Sequence, residues 1–114
     1  ASLYTTAADY GKFLAALVND PAMVDLSLSQ PVRVSWWLGL DWGLGWGIER
    51  TADGANLWQW GSNPGYRAFA MAAPASRSAV VVLTNSDAGM PVASAIVQAA
   101  MPGEHAAFRF RMVR

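Results

Sequence analysis

The stretch Leu57–Tyr66, L-W-Q-W-G-S-N-P-G-Y, sets the strongest limit on how this chain can fold. Trp58 and Trp60 alternate with Gln59, the two-residue period of a strand whose faces differ in chemistry. Gly61 lets another backbone come close. Asn63-Pro64-Gly65 is turn chemistry, since proline presets its own φ and glycine tolerates a positive one. A second apolar stretch, Tyr66–Ala73, follows at once, so the sequence predicts a hairpin. A strand end with a small residue and free backbone N–H groups can present donors to a ligand. The same ten residues also fit a hairpin with no ligand role.

The rest of the chain supplies helices and further strands around this pair. Thr6-Ala7-Ala8-Asp9 fits a capping box with Thr6 as N-cap. Tyr10, Phe13, Leu14, Leu17 and Val18 then keep the three-four spacing of an apolar helix face, and Asn19-Asp20-Pro21 stops it, predicting a helix over 7–19. Ala22–Leu40 reads as an irregular connection with a helical turn near Val24–Leu28, and Trp36-Trp37 in it call for burial. In Trp42–Thr51, glycines at 43, 45 and 47 leave one strand face open to a ring or another backbone. Asp53-Gly54 is a turn signal leading into a strand over 56–60.

Ala79–Leu83 is a continuous apolar, mostly β-branched run, the mark of a strand covered on both faces. Pro91 suits the first turn of a helix whose apolar face is Val92, Ile96, Ala99 and Ala100, ended by Pro102-Gly103. The tail, residues 106–114, alternates aromatic and arginine residues and is expected to be an edge strand or a frayed end. The predicted fold is α+β: an antiparallel sheet of three to four strands flanked by an N-terminal and a C-terminal helix, in a single unit over 1–114.

Composition narrows the function classes. Of the 114 residues 54% are hydrophobic and 14% charged, an apolar excess that calls for a covered surface in another chain or another part of the same protein. Formal net charge is zero, so nucleic acid is not an expected partner. No uncharged apolar run approaches the roughly 20 residues that span a bilayer, and no signal peptide is visible. There is no cysteine, and one histidine with scattered acids offers no spaced metal-ligand set; no cofactor is expected. The chain starts at Ala1, which reads as a processed or cut product.

Nor is a complete catalytic set present. His105, the only histidine, sits in a polar segment and is expected to be solvated. Lys12, the only lysine, lies on the solvent side of the first helix with Asp9, not serine, three residues before it. The six tryptophans allow a different role, an aromatic platform for sugars with Asp41 and Asn56 as hydroxyl partners, although core packing also accounts for such rings. A protein-interaction module pairing through an exposed sheet face is a third reading.

Four segments in order, T-T-A-A-D-Y (5–10), G-L-G-W-G-I-E (43–49), W-Q-W-G-S-N-P-G-Y-R-A-F (58–69) and V-V-V-L-T-N-S-D-A-G (80–89), resemble the C-terminal part of the serine β-lactamase family. The likeness is to its class C-like branch, with penicillin-binding-protein and esterase relatives, and runs from Ser2 to Met101. Such enzymes carry S-x-x-K, then Y-x-N or S-x-N, then K-T-G or H-x-G on the strand edging the site. Only the third has a counterpart, at Gln59-Trp60-Gly61.

The resemblance therefore implies a C-terminal segment of a hydrolase, inactive alone, whose nucleophile lies upstream. It implies an oxyanion donor in the backbone N–H of Ser62, and substrate contacts from Gln59, Trp60, Gly61 and Asn63. Gln59 stands where the family has a cation or an imidazole, which disfavours penicillin-type substrates and favours an ester, an amide or a peptide. The expected partners are the upstream part of the protein, or a second copy through the exposed sheet. The residues leave the compartment open, and the resemblance alone favours a periplasmic or secreted location slightly.

Overall fold

The computed structural model describes residues 3–113. Thr6 caps the first helix, α1 (Ala7–Val18), its Oγ1 accepting the Asp9 backbone N–H at 3.1 Å. Asp20 caps a second, α2 (Pro21–Leu28), the same way from Met23, with Pro21 in the first turn where no N–H is needed. What was expected to be one helical turn in an irregular stretch is thus a two-turn helix.

Six strands follow: β1 (Val32–Ser35), β2 (Leu40–Trp42), β3 (Gly47–Thr51), β4 (Gly54–Asn63), β5 (Tyr66–Ala73) and β6 (Ser78–Thr84). They form one antiparallel sheet in sequence order, β1 to β6, and a third helix, α3 (Gly89–Ala100), comes after it. The α+β class holds, but the sheet has six strands where three to four were expected. The additions are β1, which came out of the stretch read as a connection, and β2, which splits from β3 at Gly43–Trp46.

Alternation along the strands gives the sheet two unlike faces. Trp58, Phe69, Met71 and Val82 point to one face and pack with Met90, Ala93 and Val97 of α3. Ile48, Leu57, Ala70 and Ala72 point to the other and pack with Leu14, Leu17, Val18 and Val24 of α1 and α2. The α3 face is aromatic: Trp58 is fully buried, stacked on Phe69 and edge-on to Trp42, and such pairs add about 0.5–1.5 kcal/mol each beyond burial. Its indole Nε1 has no hydrogen-bond partner, a cost of about 1–3 kcal/mol that this packing must offset.

Only Gly43 and Gly47 of the expected row meet a close neighbour; Gly45, with φ +82° in the loop between β2 and β3, has nothing within 4 Å, so the three do not line one strand face. A Cβ on Gly47 would run into the Trp58 ring, and one on Gly43 into the backbone carbonyl of Ser27 at the end of α2. A ring lies flat on one of these glycines and a helix end abuts the other.

The tail departs from expectation. It is neither an edge strand nor a frayed end: Ala106–Arg109 is a 3₁₀ turn, Ala107 and Val113 are buried in the α3-side core, and Phe108 and Phe110 pack against it. Arg114, the last residue of that expected tail, lies outside the described residues. No helix among them is long and apolar enough to cross a membrane.

Candidate active site

The two ends of β4 have different neighbours. In a two-residue hairpin the closing pair exchanges both backbone hydrogen bonds, and the pattern recurs every second residue. From Thr51↔Gly54 it reaches Glu49↔Asn56 and then Gly47↔Trp58, where β3 begins. Past Trp58, β4 keeps β5 on one side, through Gln59↔Ala70 to Asn63↔Tyr66, and has lost β3 on the other. The N–H groups of Trp58, Trp60 and Ser62 all point to the β3 side. That of Trp60 is taken by the Oε1 atom of Gln59 at 3.1 Å. Ser62 lies one step further out on the same edge and is exposed, as is Asn63.

Gln59 is placed by its neighbours. Its Nε2 donates to the Gly45 carbonyl at 3.1 Å while its Oε1 holds the Trp60 N–H, so one carboxamide ties the 43–46 loop to β4. One N–H of the amide is left for a ligand. Gly61 is half-buried, and a Cβ there would meet only the Ala68 methyl at 3.5 Å. The turn beyond is clamped from outside. Gly65 has φ +80°, the value a Pro-Gly turn of type II needs at its second centre, and its N–H donates to Asp87 Oδ1 at 2.8 Å. Arg67 Nη1 donates to the Asn63 carbonyl at 2.7 Å and to the same Asp87 oxygen at 3.1 Å.

Trp60 is half-buried with its ring on the α3 side, edge-on to Trp42 at 5.8 Å and to Phe110 at 6.4 Å. All five expected site residues therefore share one strand end. Their side chains divide between its faces, Gln59 and Gly61 toward the α1 side and Trp60 and Ser62 toward the α3 side.

A family model described as Beta-lactamase matches residues 1–100. The chain belongs to the serine β-lactamase family. No curated protein matches it. Within the matched residues, β4 carries Gln59-Trp60-Gly61 followed by the exposed Ser62. Among the described residues no group of three or more histidines, cysteines, aspartates or glutamates could hold a metal.

Two expectations about other residues need correction. His105 is not solvated: its side chain is 7% exposed, with Nδ1 at 2.7 Å from Glu49 Oε2 and Nε2 at 2.6 Å from the Met101 carbonyl. Burial opposes a charge on the ring. The Met101 carbonyl, the Glu49 hydrogen bond and the Glu49 charge outweigh it and raise its pKa above 6.5. Trp36 and Trp37 are not buried but stand 81% and 98% exposed on the β1–β2 turn, Trp36 beneath the Arg33 guanidinium at 5.0 Å.

The residues named as sugar partners are occupied elsewhere. Asp41 is buried between Arg33 and Arg50, and Asn56 donates to Glu49 Oε2 at 3.0 Å. A cleft of about 1010 Å³ opens at the opposite end of the sheet, floored by Glu49, Asn56 and His105, and none of residues 59–63 lines it.

Proposed function

We propose that this chain forms one wall of the active site of a β-lactamase-like serine hydrolase, with β4 as the edging strand and the Ser62 backbone N–H as one of two oxyanion donors. The attacking serine and its lysine belong to polypeptide outside these 114 residues, since S-x-x-K occurs nowhere in them. That serine would be acylated by substrate and the acyl group then released to water. The 114 residues alone hydrolyse nothing.

One observation carries the reading: β4 outruns β3, leaving an N–H that points away from the sheet in a residue following the motif glycine. A developing oxyanion needs such a donor already in place, because it then costs no reorganisation in the reaction. The substrate class follows from Gln59. A lysine there would draw a carboxylate by charge, whereas a neutral amide already spent on Gly45 and Trp60 offers one uncharged donor. Neutral esters, amides or peptides fit this better than penicillins. The partner in this reading is the nucleophile-bearing part of the protein, and a location outside the cytoplasm rests on the family alone.

The test is kinetic, in protein that contains both this chain and the S-x-x-K segment. Ser62→Pro removes the N–H and nothing else the sheet needs, because that N–H faces the unpaired edge. Ester hydrolysis should fall by about a hundred- to a thousandfold. Ser62→Ala keeps the N–H and should stay within a few-fold of wild type. Equal losses in the two variants would refute a backbone role.

A further inference from the structure

The family match stops at residue 100, yet residues 101–113 fold back as a strap over the α3 side of the sheet. One anchor is polar. Glu49 on β3, 1% exposed, accepts the Ala107 backbone N–H at 3.2 Å through Oε1, and through Oε2 meets Asn56 Nδ2 at 3.0 Å and His105 Nδ1 at 2.7 Å. His105 Nε2 donates to the Met101 carbonyl, which can only accept. An ionised Glu49 also only accepts, so both ring contacts are hydrogen bonds only in the imidazolium form. A neutral ring keeps one proton, so deprotonation costs one of the two contacts: the nitrogen that gives its proton up turns a lone pair toward an acceptor.

The second anchor is aromatic. Phe108 lies on Phe69 with ring centroids 4.2 Å apart, and Phe110 meets Trp58 at 6.2 Å and Trp60 at 6.4 Å. Trp60 stands between Gln59 and Gly61 on the site strand, so the strap touches that strand from the α3 side. Other charged groups at the cleft around His105 are Glu104 and Arg109 from the strap, and Arg50 and Asp53 from β3 and the turn after it. From α3 come the uncharged Ser94 and Gln98, from its C-cap the Met101 carbonyl, and from β4 the uncharged Asn56.

We propose that the strap positions the Trp60 ring beside the free edge of β4 through Phe110, with His105, held between Glu49 and the Met101 carbonyl, as its latch, so that losing one of the two ring protons loosens both. The raised pKa of His105 sets the sign: the latch is fully formed below pH 6.5 and opens as pH rises through the higher folded value. The functional weight of this rests on β4 being the site, but its test needs no substrate. A null result here leaves the Ser62 role standing, and failure of the Ser62→Pro experiment leaves the strap standing.

The experiment follows the indole and histidine ring resonances of the intact chain by NMR between pH 5.5 and 9. The Trp60 indole should shift with the midpoint of His105 itself, and protection of the Ala107 amide should be lost in step. The indole of Trp37, 98% exposed, should not follow. In Phe110→Leu, His105 should still titrate while Trp60 no longer follows it. In His105→Gln, the pH step in Trp60 should vanish. A Trp60 resonance flat through the His105 midpoint, or one that follows it equally in Phe110→Leu, overturns the proposal. Should either variant fail to fold, the wild-type titration alone decides.

Discussion

The two halves of β4 are built from similar residues and end up in opposite circumstances. Gly54–Trp58 has a strand on each side, a buried carboxylate beside it and aromatic packing over it. Gln59–Asn63 has a strand on one side only, exposed residues at its tip and a turn held by Arg67 and Asp87. The first half carries the stability and fixes the strand; the second is thereby held still enough to present an N–H group in open space. A donor on a loop would wander, and one inside the sheet would already be spent.

The contrast breaks most readily at Glu49. Its carboxylate, itself 1% exposed, satisfies Asn56, His105 and the Ala107 N–H. Glu49→Ala leaves the Asn56 amide, the Ala107 N–H and Nδ1 of His105 without their carboxylate and should cost about 3–5 kcal/mol in urea unfolding. Next come two glycines on the two halves' edges. Gly47→Ala drives a methyl into the Trp58 ring, with an expected loss of about 1–3 kcal/mol. Gly61→Ala meets Ala68 at ordinary contact distance and should change stability by less than about 0.5 kcal/mol. Similar losses at both glycines would erase the distinction between the halves.

A smaller effect is expected from pH. Because His105 binds its proton more tightly folded than unfolded, its contribution is intact below pH 6.5 and fades as pH rises through the raised value. Melting temperature should therefore fall from pH 6 to pH 9, and His105→Gln should flatten that slope. Another low-cost change is Asp87→Asn, which weakens an exposed contact to Arg67 and Gly65. Stability should drop by about 1 kcal/mol or less, with exchange of the Gly65 amide speeding up while that of Trp58 does not.

Where neighbours in sequence decide the structure, the sequence was readable. The Thr6 cap and the three-four spacing to Val18 gave α1, and the Pro64-Gly65 signal gave the hairpin of the site. The five candidate residues also came together, since they are contiguous on one strand. β1 and β2 escaped notice because they have four and three residues, and because V-R-V in β1 faces solvent on both sides. Burial of His105 depends on Glu49, 56 positions away, and no local pattern announces such a partner. The one available hint was a lone acid within the apolar G-W-G-I-E-R run. The tail was misjudged for a related reason: its Phe-Arg alternation matches a strand, but the Trp58–Phe69 surface it packs on is formed by distant residues.

Three N–H groups share one edge of β4 at two-residue steps, those of Trp58, Trp60 and Ser62, and the donor role of Ser62 requires that they differ. Amide hydrogen exchange on the intact chain ranks them directly. Trp58, paired with Gly47, should exchange only on global unfolding, Trp60 at an intermediate rate set by the Gln59 amide, and Ser62 close to the rate of an unprotected peptide. A Ser62 amide as protected as that of Trp58 would mean that the donor is already taken.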